Sequence, residues 1–227
     1  MTAVRKSHDE SERGSLHEPK PDTLSAAKRR DILRAANEVF LAQGYLAANM
    51  DEIATAAGVS KATVYKHFGN KKALFEDIIR GRVDGLFSPL YVALSAGGSV
   101  TEVLTAFARE YVDLFLQASS LALYRVVIFE AGHNDELGPN SYRVGGAVTI
   151  QRIAEFLENQ MKEGRLAIPD PIIAAEHFIG LLTGHLQLRA LLGVDPDPSP
   201  KDREAHIDAA VSMFLRAYAP RAVSGAA

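Results

Sequence analysis

The chain has 227 residues, 47% apolar and 23% charged, so it can bury a substantial core as one or two domains, and intrinsic disorder is excluded for most of its length. It contains no cysteine, which excludes a disulfide framework, a thiolate nucleophile and cysteine-held zinc or iron–sulfur sites, and points to a reducing cytoplasm. The net charge of −3 is unevenly spread: residues 25–82 carry ten Lys/Arg against six Asp/Glu and residues 83–227 eleven against seventeen, which suits an anion-facing module joined to a body with another partner.

Residues 1–24 are crowded with charged residues and Ser and lack an apolar run, so they read as a disordered arm and neither signal peptide nor membrane anchor. No later apolar run approaches the ~20 residues that span a bilayer, because charges such as Arg125 interrupt them. Apolar positions recur three and four apart, and no clean period-two segment occurs, so the expected fold class is all-α. A first helix starts at a Ser25 cap, buries Ile32, Leu33, Ala36, Val39 and Phe40 on one stripe, and ends at Gly44. Asn49, with Glu52 three residues on, caps a short helix from Met50 to Ala57 in the manner of a capping box. Gly58 ends that helix, Val59 inserts into the core, and Ser60 caps a second short helix from Lys61 to Phe68. Asn70 caps the next helix, from Lys71 to about Phe87.

Two short helices joined by a three-residue turn containing Gly form a helix-turn-helix, here residues 49–68 within a three-helix domain at 25–86. On its second helix Val64 and Phe68 share the inward face, which turns Ala62 and Lys66 outward with Thr63 and Tyr65 on the flanks. That face suits a DNA major groove: Lys bonds guanine O6 and N7, Ala and the Thr methyl touch a thymine methyl, and hydroxyls reach phosphates. Lys71 and Lys72 place amides and positive charge at the next helix N-terminus, where a phosphate sits well.

The stretch Gly58-Val59-Ser60-Lys61-Ala62-Thr63-Val64-Tyr65-Lys66-His67-Phe68-Gly69-Asn70-Lys71-Lys72-Ala73-Leu74, preceded by Asp51-Glu52-Ile53-Ala54, closely resembles the DNA-binding signature of the TetR family of bacterial transcriptional regulators. The resemblance implies a homodimeric repressor of palindromic operators with a larger helical body that binds a small-molecule effector. It carries DNA contacts onto Asn49, Ser60, Lys61, Ala62, Thr63, Tyr65, Lys66 and His67, with Lys71 on a phosphate. Asn49 stands where the family commonly has Thr or Ser. In the body, Tyr124-Arg125-Val126-Val127-Ile128-Phe129-Glu130-Ala131 and Arg189-Ala190-Leu191-Leu192-Gly193 resemble the AcrR/AefR efflux-repressor subgroup.

Beyond residue 87 the pattern predicts helices over 100–118, 121–132 and 142–164, with residues 132–138 as a connection, then helices over 171–192 and 201–219 and a flexible tail at 221–227. The helix over 171–192 is apolar nearly all round, so its own domain cannot cover it. Gly180 and Gly184 within it suggest another backbone approaching there, since each costs about 1 kcal/mol against Ala in a helix interior. With the last helix it predicts a two-fold interface through Ile173, His177, Gly180, Gly184, Leu188, Val211, Phe214 and Tyr218. The resemblance places an effector pocket inside the body. Its candidate walls are Phe87, Tyr91, Tyr111, Phe115, Tyr124, Ile128, Tyr142 and Phe178, aromatic surfaces with phenol handles suited to a hydrophobic or aromatic ligand.

Catalytic readings fare worse. Glu130-x-x-His133 is half of the carboxylate–histidine pattern of di-iron bundles, so a redox enzyme is the alternative from another class, but no second Glu-x-x-His occurs. Ser25-x-x-Lys28 lacks the companion motifs of acyl transfer, and no Walker loop or dinucleotide fingerprint is present. The sequence therefore calls for no enzyme activity, no cofactor and no metal. Its expected partners are double-stranded DNA, a second copy of itself and a small effector, with no membrane.

Overall fold

The computed structural model describes residues 23–133 and 135–220. The arm expected at 1–24 lies outside them save for its last two residues, as does the tail at 221–227. All regular structure among the described residues is helical. Helix α1 (Thr23–Gln43), α2 (Met50–Ala56), α3 (Lys61–Phe68) and α4 (Lys71–Leu86) make the N-terminal unit. The body holds α5 (Ser88–Ser95), α6 (Val100–Leu116), α7 (Ala118–Ala131), α8 (Leu137–Val144), α9 (Gly146–Lys162), α10 (Pro171–Leu191) and α11 (Pro200–Tyr218).

Several local expectations shift. Ser25 lies inside α1, which has already begun at Thr23, and is not its cap. Helix α5, which the sequence reading passed over, carries Pro89 in its first turn. The helix expected over 142–164 is two helices that meet at Gly145, whose φ of −108° and ψ of −84° leave the helical region. A Cβ on Gly145 would stand 3.0 Å from the Ile79 side chain, and one on Gly146 2.9 Å from the Tyr142 ring. Close approach to α4 and α8 explains both glycines better than helix continuity does. Gly184 is also not an ordinary helical glycine: its φ of 36° and ψ of −135° kink α10. Beside that kink, Nε2 of His206 lies 2.8 Å from the Leu182 carbonyl oxygen and donates to it.

Two cores follow from the apolar stripes. Ile32, Phe40, Ile53, Val64, Leu74 and Phe75 form the first, with the Phe40, Tyr45 and Phe75 rings packed 5.1–5.7 Å apart. Leu123 of α7 and Leu137 of α8 belong to this same cluster, so the body's packing runs into the N-terminal unit. The second core joins α4, α6, α9, α10 and α11 around Phe107, Leu157, Phe178 and Phe214. Arg125, the charge that interrupts the apolar run of α7, donates to the carbonyls of Ala190 and Leu191 at 3.1 and 2.9 Å and so caps the end of α10. No single helix among the described residues is long and apolar enough to cross a membrane.

Candidate functional site

The outer surface of α3 is set by what its inner surface buries. Val64 and Phe68 are buried with Ile53 and Ala54 of α2, and Val59 packs half-buried against them. Gly58 takes a φ of 64° in the turn, the left-handed conformation that lets α3 cross α2. Lys61, Ala62, Tyr65 and Lys66 are then exposed, with Thr63 and His67 half-buried at the margins. Lys61, Ala62, Tyr65 and Lys66 therefore share one exposed face, with Thr63 and His67 on its flank.

Asn49 and Ser60 stand at the two helix starts. The Asn49 side chain accepts from the Asp51 and Glu52 amides at 3.0 and 2.9 Å, and Ser60 Oγ accepts from the Thr63 amide at 3.2 Å. The reciprocal capping box is found at α6, where Ser99 and Glu102 bond each other's backbone. Lys61 lies 2.8 Å from Asp51, and that hydrogen bond, aided by the carboxylate's charge, raises its pKa. Lys66 has no ion-pair partner among the described residues. Lys72 is paired with Glu136 at 2.8 Å.

Lys71 is placed differently from the expectation. Its Nζ donates to the carbonyls of Tyr45, Leu46 and Ala48 at 2.8, 3.0 and 2.8 Å and lies 4.7 Å from the Tyr45 ring centroid. Burial pulls its pKa down, against the opposing pull of the Glu130 charge. The ammonium closes the α1–α2 turn and does not point outward, so a phosphate here would meet the first-turn amides of α4 alone. Glu130 itself is 3% exposed; Oε1 accepts from the Leu46 amide at 3.0 Å, and Oε2 is buried with no hydrogen-bond partner among the described residues. His133 turns back to the Phe129 carbonyl at 3.0 Å, so the Glu-x-x-His pair does not converge, and no metal-ligating cluster occurs among the described residues.

A cavity of about 480 Å³ opens between α4, α6, α7, α8 and α10. Five of the eight proposed wall residues line it: Tyr111, Phe115, Tyr124, Ile128 and Tyr142. The other three do not. Phe87 is buried against Phe107 and lies beneath Arg152, Phe178 is buried between Phe107 and Phe214, and Tyr91 is exposed on α5. Core packing took the first two because α4, α6, α10 and α11 converge there. The sequence reading missed the polar lining: Arg82, Ser120, Ser141 and Gln187. Only the tertiary fold brings Arg82 to Ser120 Oγ at 2.6 Å and to Asn37 Oδ1 at 3.2 Å. Burial raises the pKa values of Tyr111 and Tyr124; for Tyr124 a hydrogen bond with Gln187 and the Arg82 charge pull the other way.

Helix α10 exposes Ile173, His177, Gly180, Gly184 and Leu188, and nothing described lies within 4 Å of a Cβ added at either glycine. His177 Nδ1 lies 2.8 Å from the Tyr218 hydroxyl, which ties α10 to α11 at this surface. Val211 and Phe214 fall out of the expected interface, being 3% and 1% exposed inside the protomer's own core. On α11 the large exposed apolar residue is Met213 instead.

Residues 32–78 match the model of "bacterial regulatory proteins, tetR family", and residues 102–220 that of the "AefR-like transcriptional repressor, C-terminal domain". A TetR-family transcriptional regulator from Mesorhizobium loti MAFF303099 is 32% identical, covering 87% of this chain and 99% of its own, with a TM-score of 0.74. The structure named flavonoid-responsive regulator FrrA is 39% identical over 87% of this chain and 100% of its own, with a TM-score of 0.70. The transcriptional activator FasR of Mycolicibacterium smegmatis is 39% identical over 100 residues, 44% of this chain and 45% of its own. The matched stretches span about half the length of the first of these curated relatives.

Proposed function

The chain belongs to the TetR family of bacterial transcriptional regulators, and from that premise we propose that it is a homodimeric repressor that binds a palindromic operator through α3 and is released by a small hydrophobic or aromatic effector. The observation that carries the reading is the pairing of an exposed Lys61-Ala62-Tyr65-Lys66 face with an aromatic cavity that shares α4 with the DNA-binding unit. Family members are regulators and not enzymes, and the convergence that a di-iron site needs is missing from Glu130 and His133.

The exposed residues of α10 make the surface we assign to the second copy. A two-fold axis there sets two recognition helices ~34–36 Å apart, the spacing of successive major grooves. The cavity is lined by residues of both α4 and α10, so an occupant that favours one setting of α4 alters the spacing of the two α3 helices. A differential affinity of ~1–3 kcal/mol between the two settings weakens operator binding about 5- to 150-fold. The name of FrrA, responsive to flavonoids, supports an aromatic occupant. Such a regulator works in the cytoplasm, beside its DNA.

Footprinting of the purified protein on the DNA upstream of its own coding sequence, with excess nonspecific competitor and at stated salt, tests the reading. A protected palindrome supports it; competitor-resistant binding at no palindrome anywhere in a genomic fragment library refutes it. Activation is the second reading, favoured by the likeness to FasR, and a promoter reporter with and without the protein separates the two signs.

A further inference from the structure

Among the residues lining the cavity, Arg82 is the one that carries a charge; the others are apolar, hydroxyl, amide or glycine. Its guanidinium donates to two neutral oxygens, of Ser120 and Asn37, and it forms no ion pair among the described residues. Burial disfavours its charged form, and no carboxylate offsets that. A half-buried cation facing a chamber that is mostly apolar and otherwise uncharged is stabilised most by an anion that enters with its own apolar body. Two of the five guanidinium N–H groups are engaged by the bonds to Ser120 and Asn37, which leaves three donors for an incoming oxyanion. The phenols of Tyr111 and Tyr124, kept protonated by burial, are further donors on the same walls.

We propose that the effector is an anionic amphiphile, an aromatic or aliphatic body bearing a carboxylate or sulfonate, whose oxyanion is held by Arg82. This rests on the reading of the cavity as the effector site. A neutral polyphenol or hydrocarbon of the same size fills the chamber but leaves the guanidinium without a counter-ion.

The test uses two fluorescent probes that differ by one group, 1-anilinonaphthalene-8-sulfonate and N-phenyl-1-naphthylamine, titrated into the full-length protein. The unsubstituted protein is expected to bind the sulfonate at least about tenfold more tightly than the neutral amine. Arg82→Gln removes that preference by weakening the sulfonate alone, and Arg82→Lys restores part of it. Leu114→Trp, which narrows the chamber, weakens both probes while helical circular dichroism is retained. Equal affinities for the two probes, or an unchanged preference in Arg82→Gln, overturn the anion assignment and leave the cavity reading standing. Unaltered binding of both probes by folded Leu114→Trp places them elsewhere and overturns the cavity reading together with the inference.

Discussion

The Glu130 carboxylate accepts a hydrogen bond from the Leu46 amide at 3.0 Å, joining the last turn of α7 to the α1–α2 turn across 84 residues of sequence. The same turn is gripped from the other side by the Lys71 ammonium through three carbonyls. Body and DNA-binding unit thus meet on the loop that leads into the helix-turn-helix, and Gly44 makes room for it: a Cβ there would lie 3.1 Å from Glu130 Oε1, at a φ of 83°. Glu130→Ala leaves the Leu46 amide without its acceptor and is expected to cost about 1–3 kcal/mol of stability. Glu130→Gln keeps an oxygen acceptor and restores most of it. Denaturant melts of the three proteins check this; an unaltered midpoint in Glu130→Ala would show the contact to be dispensable.

Arg82 links the cavity to α1 through Asn37. Asn37→Ala keeps the chamber and its guanidinium intact, so effector affinity changes by less than about threefold. The effector's hold over DNA binding, however, is expected to fall by about threefold or more, because the bond that joins the cavity's guanidinium to α1 is gone. Operator affinity measured with and without saturating effector gives the coupling directly. An undiminished ratio in the variant assigns the coupling to other contacts.

Lys66 is exposed at the centre of the α3 face and unpaired among the described residues. Lys66→Glu is expected to weaken operator binding by about tenfold or more and to flatten its salt dependence by about one counter-ion. Because no packing is touched, melting temperature and oligomeric state stay as they are. Gel shifts over a salt series, beside light scattering, make the comparison.

Leu188 and Phe214 separate association from folding. Leu188 is 49% exposed on α10, and if the proposed dimer forms there Leu188→Arg is expected to dissociate it into folded protomers, seen as a halved mass by light scattering. Phe214 is 1% exposed, and Phe214→Ala destabilises the protomer by about 3–5 kcal/mol through the cavity it leaves. The opposite pattern would exchange their roles.

Tyr111 gives a pH signature at the alkaline end. Burial raises its folded-state pKa above the ordinary value of 10.0, so the fold favours the protonated phenol. That contribution is complete below about pH 10 and is lost as the pH rises further, because the unfolded chain then releases the proton first. Melting temperature should fall as the pH rises above about 10. The drop is expected to be smaller in Tyr111→Phe, which has no proton to lose; equal drops would exclude Tyr111 as its source.

The helix-turn-helix was legible because each of its signals is local. Asn49 and Ser60 accept from amides two or three residues ahead, Gly58 supplies a positive φ in its own turn, and Val64 and Phe68 face inward by helical period alone. The stripe of α6 is local in the same sense, whereas the reciprocal box expected at Asn49–Glu52 forms instead at Ser99–Glu102. Tertiary structure decided what periodicity cannot encode. Whether an aromatic on an apolar stripe lines a chamber or fills a core depends on which other helices converge on it, which separated Tyr111 and Phe115 from Phe87 and Phe178. Glycine inside an apolar run reads alike whether it continues a helix, breaks it where another helix approaches as at Gly145, or kinks it through a positive φ as at Gly184, because neither the neighbour nor the backbone angle is marked in the local pattern. The roles of Lys71 and Arg82 were set by partners 23–26 and 38–45 residues away, and a charged side chain carries no mark of such a partner in its own neighbourhood.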